Sequence, residues 1–263
     1  MSSLSLALRD SSTMLRRNLL HARRYPSLTL NLLLTPIMLL LLFVYVFGDT
    51  MSAGIGGSGA DRADYIAYLV PGLLLMTIGS TTIGTAVSVA NDMTEGIIAR
   101  FRTMAIHRGS VLVGHVVGSV LQSVASVLLV GAVGAAIGFR STDATPLEWL
   151  AAFGLLVLFA LALTWIAVGM GLVSPNAEAA SNNAMPLIFL PLISSAFVPV
   201  DAMPGWFQPI AAYQPFTPAI ETLRGLLLGT EIGHNGWLAT AWCLGLAVLG
   251  YLWSTSKFDE DPK

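Results

Sequence analysis

The chain has 263 residues, 55% of them hydrophobic and only 11% charged, with a net charge of −2. Soluble domains carry about 25% charged residues, so the composition excludes an ordinary soluble enzyme, and the near-neutral balance gives no sign of a nucleic-acid partner. The single cysteine, Cys243, excludes an internal disulfide and a cysteine-based zinc site.

Residues 1–25 read as an amphipathic helix. Leu4, Leu8, Leu15, Leu19 and Ala22 fall near one face, and Arg9, Arg16 and Arg23 form a cationic ridge beside it. Such a helix lies along a membrane interface with its arginines at anionic headgroups. The apolar run that follows is too long for the core of a cleavable signal. Six membrane spans are predicted, at residues 28–47, 66–90, 111–139, 149–173, 180–200 and 237–253, most of them near the length of about 20 residues that crosses a bilayer as a helix. The first carries Pro36, and the fifth carries Pro186, Pro191 and Pro199, so the fifth is expected to be kinked or broken. Gly72, Gly79 and Gly84 in the second span, and the Gly114/Gly118 pair in the third, suit close helix approach. Residues 200–236 are too broken by proline for a spanning helix and too apolar for a free loop. Two short helices dipping back into the membrane, within 203–229, fit best, and Glu221 and Arg224, three residues apart, are expected to pair there or to bond exposed backbone.

Residues 91–110 stand apart. This stretch between two uncharged runs holds Asp92, Glu95, Arg100, Arg102 and Arg108. With six spans, it shares one side of the membrane with both chain ends. That side holds ten of the basic residues and the other only Arg62, Arg140 and Arg224, which predicts both termini in the cytoplasm. Arginine greatly outnumbers lysine and Ala and Gly are abundant, which suggests a bacterial source and hence a bacterial plasma membrane.

Ion-coupled transport and intramembrane acid–base catalysis both need ionisable groups inside the membrane, and the six predicted spans contain no Asp, Glu, Lys or Arg. A nucleotide-binding P-loop needs a lysine after a glycine-rich turn. The only lysines, Lys257 and Lys263, have no such context. The chain is therefore expected to be no enzyme and to bind no cofactor or metal itself, with ATP and Mg on a separate ATPase docked at residues 91–110.

The run from Asp92 through Gly96, Ile97, Ile98, Arg100, Phe101 and Arg108 to Leu112 resembles the loop between the second and third spans of ABC type-2 permeases, closest to the daunorubicin/doxorubicin-resistance group. Pro215-Phe216-Thr217-Pro218 through Glu221 and Arg224, with Met203-Pro204-Gly205-Trp206 upstream, resembles the segment before that family's last span; Gln214 stands where Asn is expected. The resemblance covers essentially the whole chain. It implies one all-α polytopic membrane domain over 1–263, with a connecting helix (1–25), a coupling loop (91–110) and a re-entrant exit-side segment (203–229). It implies a homodimer of the permease in membrane lipid, paired with two copies of an ABC ATPase. Asp92, Glu95, Gly96, Ile97, Ile98, Arg100, Phe101, Arg102 and Arg108 would meet the ATPase. Thr81, Thr82, Thr85, Asn182, Asn183, Phe189 and Phe197 would line the substrate path, with ordinary helix packing the competing reading for the threonines. The implied function is ATP-driven export of a hydrophobic or amphipathic small molecule of drug or antibiotic type by alternating access. Export of a lipid or lipid-linked glycan, and a non-transport scaffold, are the alternatives.

Overall fold

The structure is a computed structural model that describes residues 26–46, 48, 62–95, 108–141 and 144–259. The predicted interfacial helix (1–25) and most of the predicted coupling segment (96–107) lie outside the described residues. Within them, every regular element is helical. In chain order these are α1 (Pro26–Tyr45), α2 (Arg62–Thr94), α3 (Arg108–Ala136), α4 (Pro146–Val173), α5 (Ala177–Ala184), α6 (Pro186–Leu192), a 3-10 turn (Val200–Ala202), α7 (Gln208–Tyr213), α8 (Phe216–Leu228) and α9 (Asn235–Asp259). Four of these, α2, α3, α4 and α9, are long and apolar enough to cross a membrane.

α2 is the hub. Its 33 residues rise about 50 Å at 1.5 Å per residue. It is buried almost continuously from Tyr65 to Ala90 and touches α1, α3, α4, α5, α6 and α8. It runs four residues beyond the predicted span at each end, so residues 91–94 are helix and not loop. α9 lies mainly against α4, with α8 as its second neighbour. α3 shows why this is a lipid-solvated bundle. Val113, Val117, Leu121 and Leu128 fall on one helical stripe, and all are exposed. In water that outer face would be polar.

Lipid gives helices no hydrophobic reason to associate, so close van der Waals contact has to do it. A Cβ built on Gly171 of α4 would lie 2.6 Å from the Ala86 carbonyl oxygen of α2, and one on Gly250 of α9 would lie 2.8 Å from Trp165 Cβ of α4. On Gly72 it would lie 2.7 Å from the Ala196 Cα, a backbone atom that cannot rotate away. We expect Gly72→Leu to destabilise the protein by about 1–3 kcal/mol, the usual penalty for overpacking. Thermal unfolding in detergent measures it, and a melting curve matching that of the unmodified chain would mean that the residue 196 backbone yields freely.

The predicted fifth span is broken where its prolines stand. α5 and α6 have eight and seven residues, each far short of a membrane crossing, and α6 begins at Pro186 and contains Pro191. The segment after it is, as expected, two short helices, α7 and α8. α8 ends in left-handed geometry at Gly229 (φ 71°), which glycine alone adopts without a Cβ penalty. α4 starts three residues earlier than predicted. Thr145 and Glu148 form a capping box: the Thr145 hydroxyl accepts from the Glu148 N–H while the Glu148 carboxylate accepts from the Thr145 N–H at 2.6 Å.

Candidate functional site

The charged and polar side chains inside the bundle gather at three levels along α2. At its Arg62 end, α2 meets the break after α6 and the buried face of α8. A broken helix in apolar surroundings leaves backbone groups that water cannot reach, and each must find a partner. Here side chains supply them. The Ser195 carbonyl accepts from the Tyr68 hydroxyl at 2.9 Å and from Arg224 Nη2 at 3.1 Å. The Ser195 N–H donates to Thr217 Oγ1 at 3.2 Å, and Gln214 Nε2 donates to the Leu190 carbonyl.

Arg224 is the centre of this clasp. Nη1 donates to Glu221 Oε1 at 2.7 Å, and Nη2 also donates to the Tyr68 carbonyl at 3.1 Å. The guanidinium carbon sits 3.7 Å from the centre of the Tyr68 ring, a cation–π contact. Arg224 is only 5% exposed. An isolated charge at that depth would be costly, and here it is compensated by a carboxylate, two carbonyls and an aromatic face. The predicted pair thus forms, and the arginine also bonds the Tyr68 carbonyl and the buried Ser195 carbonyl.

Midway along α2, hydroxyls bridge three helices. Thr81 Oγ1 donates to the Ile78 carbonyl at 2.9 Å and lies 2.7 Å from Ser123 Oγ on α3. A hydroxyl has one proton to give, so Ser123 is the donor to Thr81. One turn further, Thr85 meets Ser119 of α3, whose hydroxyl lies 3.3 Å from Thr164 Oγ1 of α4. At the far end, His115 Nε2 of α3 donates to Asp92 Oδ2 of α2 at 3.0 Å, with both side chains under a tenth exposed.

The predicted site residues are distributed unevenly over this frame. Glu221 and Arg224 are together. Asp92, expected on the docking surface, is turned inward to His115, whereas Glu95 is exposed. Gly96, Ile97, Ile98, Arg100, Phe101 and Arg102 lie outside the described residues; Arg108 opens α3. Of the predicted substrate path, Thr81, Thr82 and Thr85 are buried, with their hydroxyls taken up in helix contacts and, for Thr82, by the Gly79 carbonyl at 2.8 Å. Phe197 is buried against Phe43, with ring centres 4.7 Å apart. Phe189 and Asn182 are exposed on the surface, and Asn183 donates to Ser174 Oγ at 3.0 Å. The structure does not bring these seven into one cavity. A cleft beside Ser123, between Ile78, Val127, Phe153 and Ala160, measures about 10 Å³, room for at most one water. Tyr68, Ser195, Ser119, Ser123 and Thr164 are members of these clusters that hydropathy and spacing leave unmarked, and His115, read from the sequence as a packed or interfacial histidine, is indeed buried. Among the described residues there is no group of His, Cys, Asp or Glu fit to hold a metal.

Comparison with known proteins adds the lineage. Residues 10–228 match the family model for "ABC-2 type transporter". The chain is 30% identical over 223 residues to the daunorubicin resistance ABC transporter permease protein DrrB1 of Streptomyces coeruleorubidus, covering 83% of this chain and 75% of that one. It is 22% identical over 180 residues to the probable doxorubicin resistance ABC transporter permease protein DrrC of Mycobacterium tuberculosis, covering 66% of this chain and 64% of that one. Nodulation protein J of Rhizobium meliloti is 25% identical over 232 residues, 81% of this chain and 80% of its own length.

Proposed function

From the premise that the chain belongs to the ABC-2 type transporter family, we propose that it is the permease subunit of an ATP-driven exporter of hydrophobic or amphipathic small molecules of the drug or antibiotic type. The observation that carries this reading is the 30% identity to a daunorubicin resistance permease over most of both chains. Two copies of the permease pair in the membrane, and two copies of a separate ABC ATPase bind ATP and Mg on the cytoplasmic side. Residues 95–107 receive the ATPase movement. α2 and α3 carry it inward, and a cavity between the two copies opens alternately to either side. Export requires the cargo to bind the two states with different affinity. Phe189 and Asn182, exposed beside the broken helix, are available to line that cavity, while Thr81, Thr82 and Thr85 act within the helix bundle. α7 and α8 form the re-entrant cap at the exit, held to α2 by Arg224.

The experiment is co-purification of the chain with an ABC ATPase, followed by ATP-dependent movement of daunorubicin in proteoliposomes. Daunorubicin is the probe because of the relative's name. Stable association with hydrolysis stimulated by the probe supports the reading, and a chain that associates with no ABC ATPase defeats it.

Six spans with both termini cytoplasmic complete the proposal, on the ten-to-three distribution of basic residues. Single cysteines replacing Ser58 and Thr142 should react with an impermeant maleimide from outside intact cells, and one replacing Ser2 only after permeabilisation. Reaction at position 2 in intact cells would overturn the topology.

A further inference from the structure

The proposed function leaves Asp92 and His115 without a part. Both are ionisable, both are buried, and they meet at the end of α2 that leads directly into residues 95–107. Asp92 stands three residues before Glu95. The chain between them has no slack: the Glu95 N–H still donates to the Asn91 carbonyl at 2.9 Å, and the Thr94 hydroxyl bonds the Ala90 carbonyl at 3.1 Å. Whatever moves residue 95 therefore moves Asp92, and through it His115.

The pair also belongs to a larger pattern. On α3, His115, Ser119 and Ser123 recur every four residues. On α2, Thr81, Thr85 and Asp92 share one helical stripe. The two stripes meet at three polar contacts in sequence, the last separated from the middle one by seven residues on α2 and four on α3. Ser119 extends the middle contact to Thr164 of α4. Neighbouring interior contacts are apolar and could slide past one another, whereas a directional hydrogen bond in apolar surroundings fixes register, because a broken one leaves its groups unpaired.

We infer that Asp92 and His115 are positioning residues for energy coupling. They pin the base of residues 95–107 to α3, so that force on that segment passes into α2, α3 and, through the hydroxyl seam, α4 as one unit. The inference rests on reading residues 95–107 as the ATPase-coupling element. It assigns Asp92 to holding that element in place from within, not to touching the ATPase.

The test uses the full chain in complex with its ABC ATPase. A Cys243→Ser background carries Trp206→Cys as a reporter at the opposite end of the molecule, since Trp206 is 76% exposed. Two quantities are measured: affinity for the ATPase, and the change in maleimide labelling at position 206 on adding ATP with vanadate. Asp92→Ala and His115→Ala are expected to bind the ATPase within about twofold of the parent, yet to lose the ATP-dependent labelling change at least about fivefold, the scale of one buried polar contact. Asp92→Asn and His115→Gln, which keep a hydrogen bond, should restore most of it. If the alanine variants fail to fold, the exchange Asp92→His with His115→Asp is expected to recover both folding and the labelling change.

Alanine variants that keep the parental change would overturn the inference. So would conservative or exchanged variants no better than alanine, or loss of ATPase binding itself, which would make the pair part of the docking surface. A parent chain that binds no ABC ATPase, or binds one without any labelling change, removes the proposed function first and the inference with it.

Discussion

Arg224→Ala is expected to destabilise the protein by about 3 kcal/mol, the range for breaking a buried charged cluster from one side. The substitution removes three donated hydrogen bonds and the contact with the Tyr68 ring. What it leaves is not uniformly orphaned. Glu221 has a side chain 30% exposed and can turn to water, and the Ser195 carbonyl keeps the Tyr68 hydroxyl. The loss therefore falls chiefly on the joint between α2, the break after α6, and α8. Glu221→Gln should cost less than about 1 kcal/mol, because a half-solvated ion pair contributes little and the amide oxygen still accepts. Arg224→Lys should fall between them, since an ammonium cannot reach three acceptors with the fixed fork of a guanidinium. Thermal unfolding of the detergent-solubilised chain gives the order. Equal losses for Arg224→Ala and Glu221→Gln would reduce the clasp to a plain ion pair.

That clasp shows where sequence reasoning reaches and where it stops. The spacing of Glu221 and Arg224 on one helix face was enough to anticipate their contact, because three residues is a local relation. Tyr68 is 156 residues away from Arg224, and no periodicity links them. The break before Pro186 was legible for the same local reason, as a proline has no N–H to continue the ladder, whereas Pro191 sits inside α6, which ends one residue later. What the break demands of its surroundings, donors for carbonyls such as Ser195, depends on which helices come to lie beside it.

Asp92 illustrates the opposite error of scale. Grouping it with Glu95 and Arg100 follows from their closeness in sequence. α2, however, continues as helix through Thr94, so Asp92 still lies alongside α3, whereas Glu95 follows the last helical residue and is exposed. Asp92 faces α3 while Glu95 faces out. His115, four residues from Ser119, stands in a stripe that could have been found by asking which polar residues of α3 share a face. The capping box at Thr145 and Glu148 was likewise on view in the sequence as Thr-x-x-Glu before an apolar run, and it sets the start of α4.

Phe101→Ala is expected to leave the permease folded and inserted while weakening its association with the ATPase by at least about tenfold, the size of a hot-spot truncation. Residues 95–103 are long enough for about two and a half helical turns. A helix over this stretch would put Arg102 in its last turn, where a cation suits the negative end; Glu95 itself still bonds back to the Asn91 carbonyl at the end of α2. By helical spacing alone, Ile97, Ile98 and Phe101 would share one face, an apolar ridge with an aromatic anchor of the kind that seats in a partner's cleft. Arg100 lies on another face, and Arg100→Glu should weaken association too. Since salt screens exposed charge, the parental complex should lose affinity with rising salt more steeply than the Arg100→Glu complex. The measurements are ATPase pull-down across a salt series and probe-stimulated hydrolysis in proteoliposomes. A helix lying on its own membrane with Phe101 in lipid gives the contrary result: both variants bind and couple as the parent does, and residues 95–103 then do not transmit the ATPase stroke.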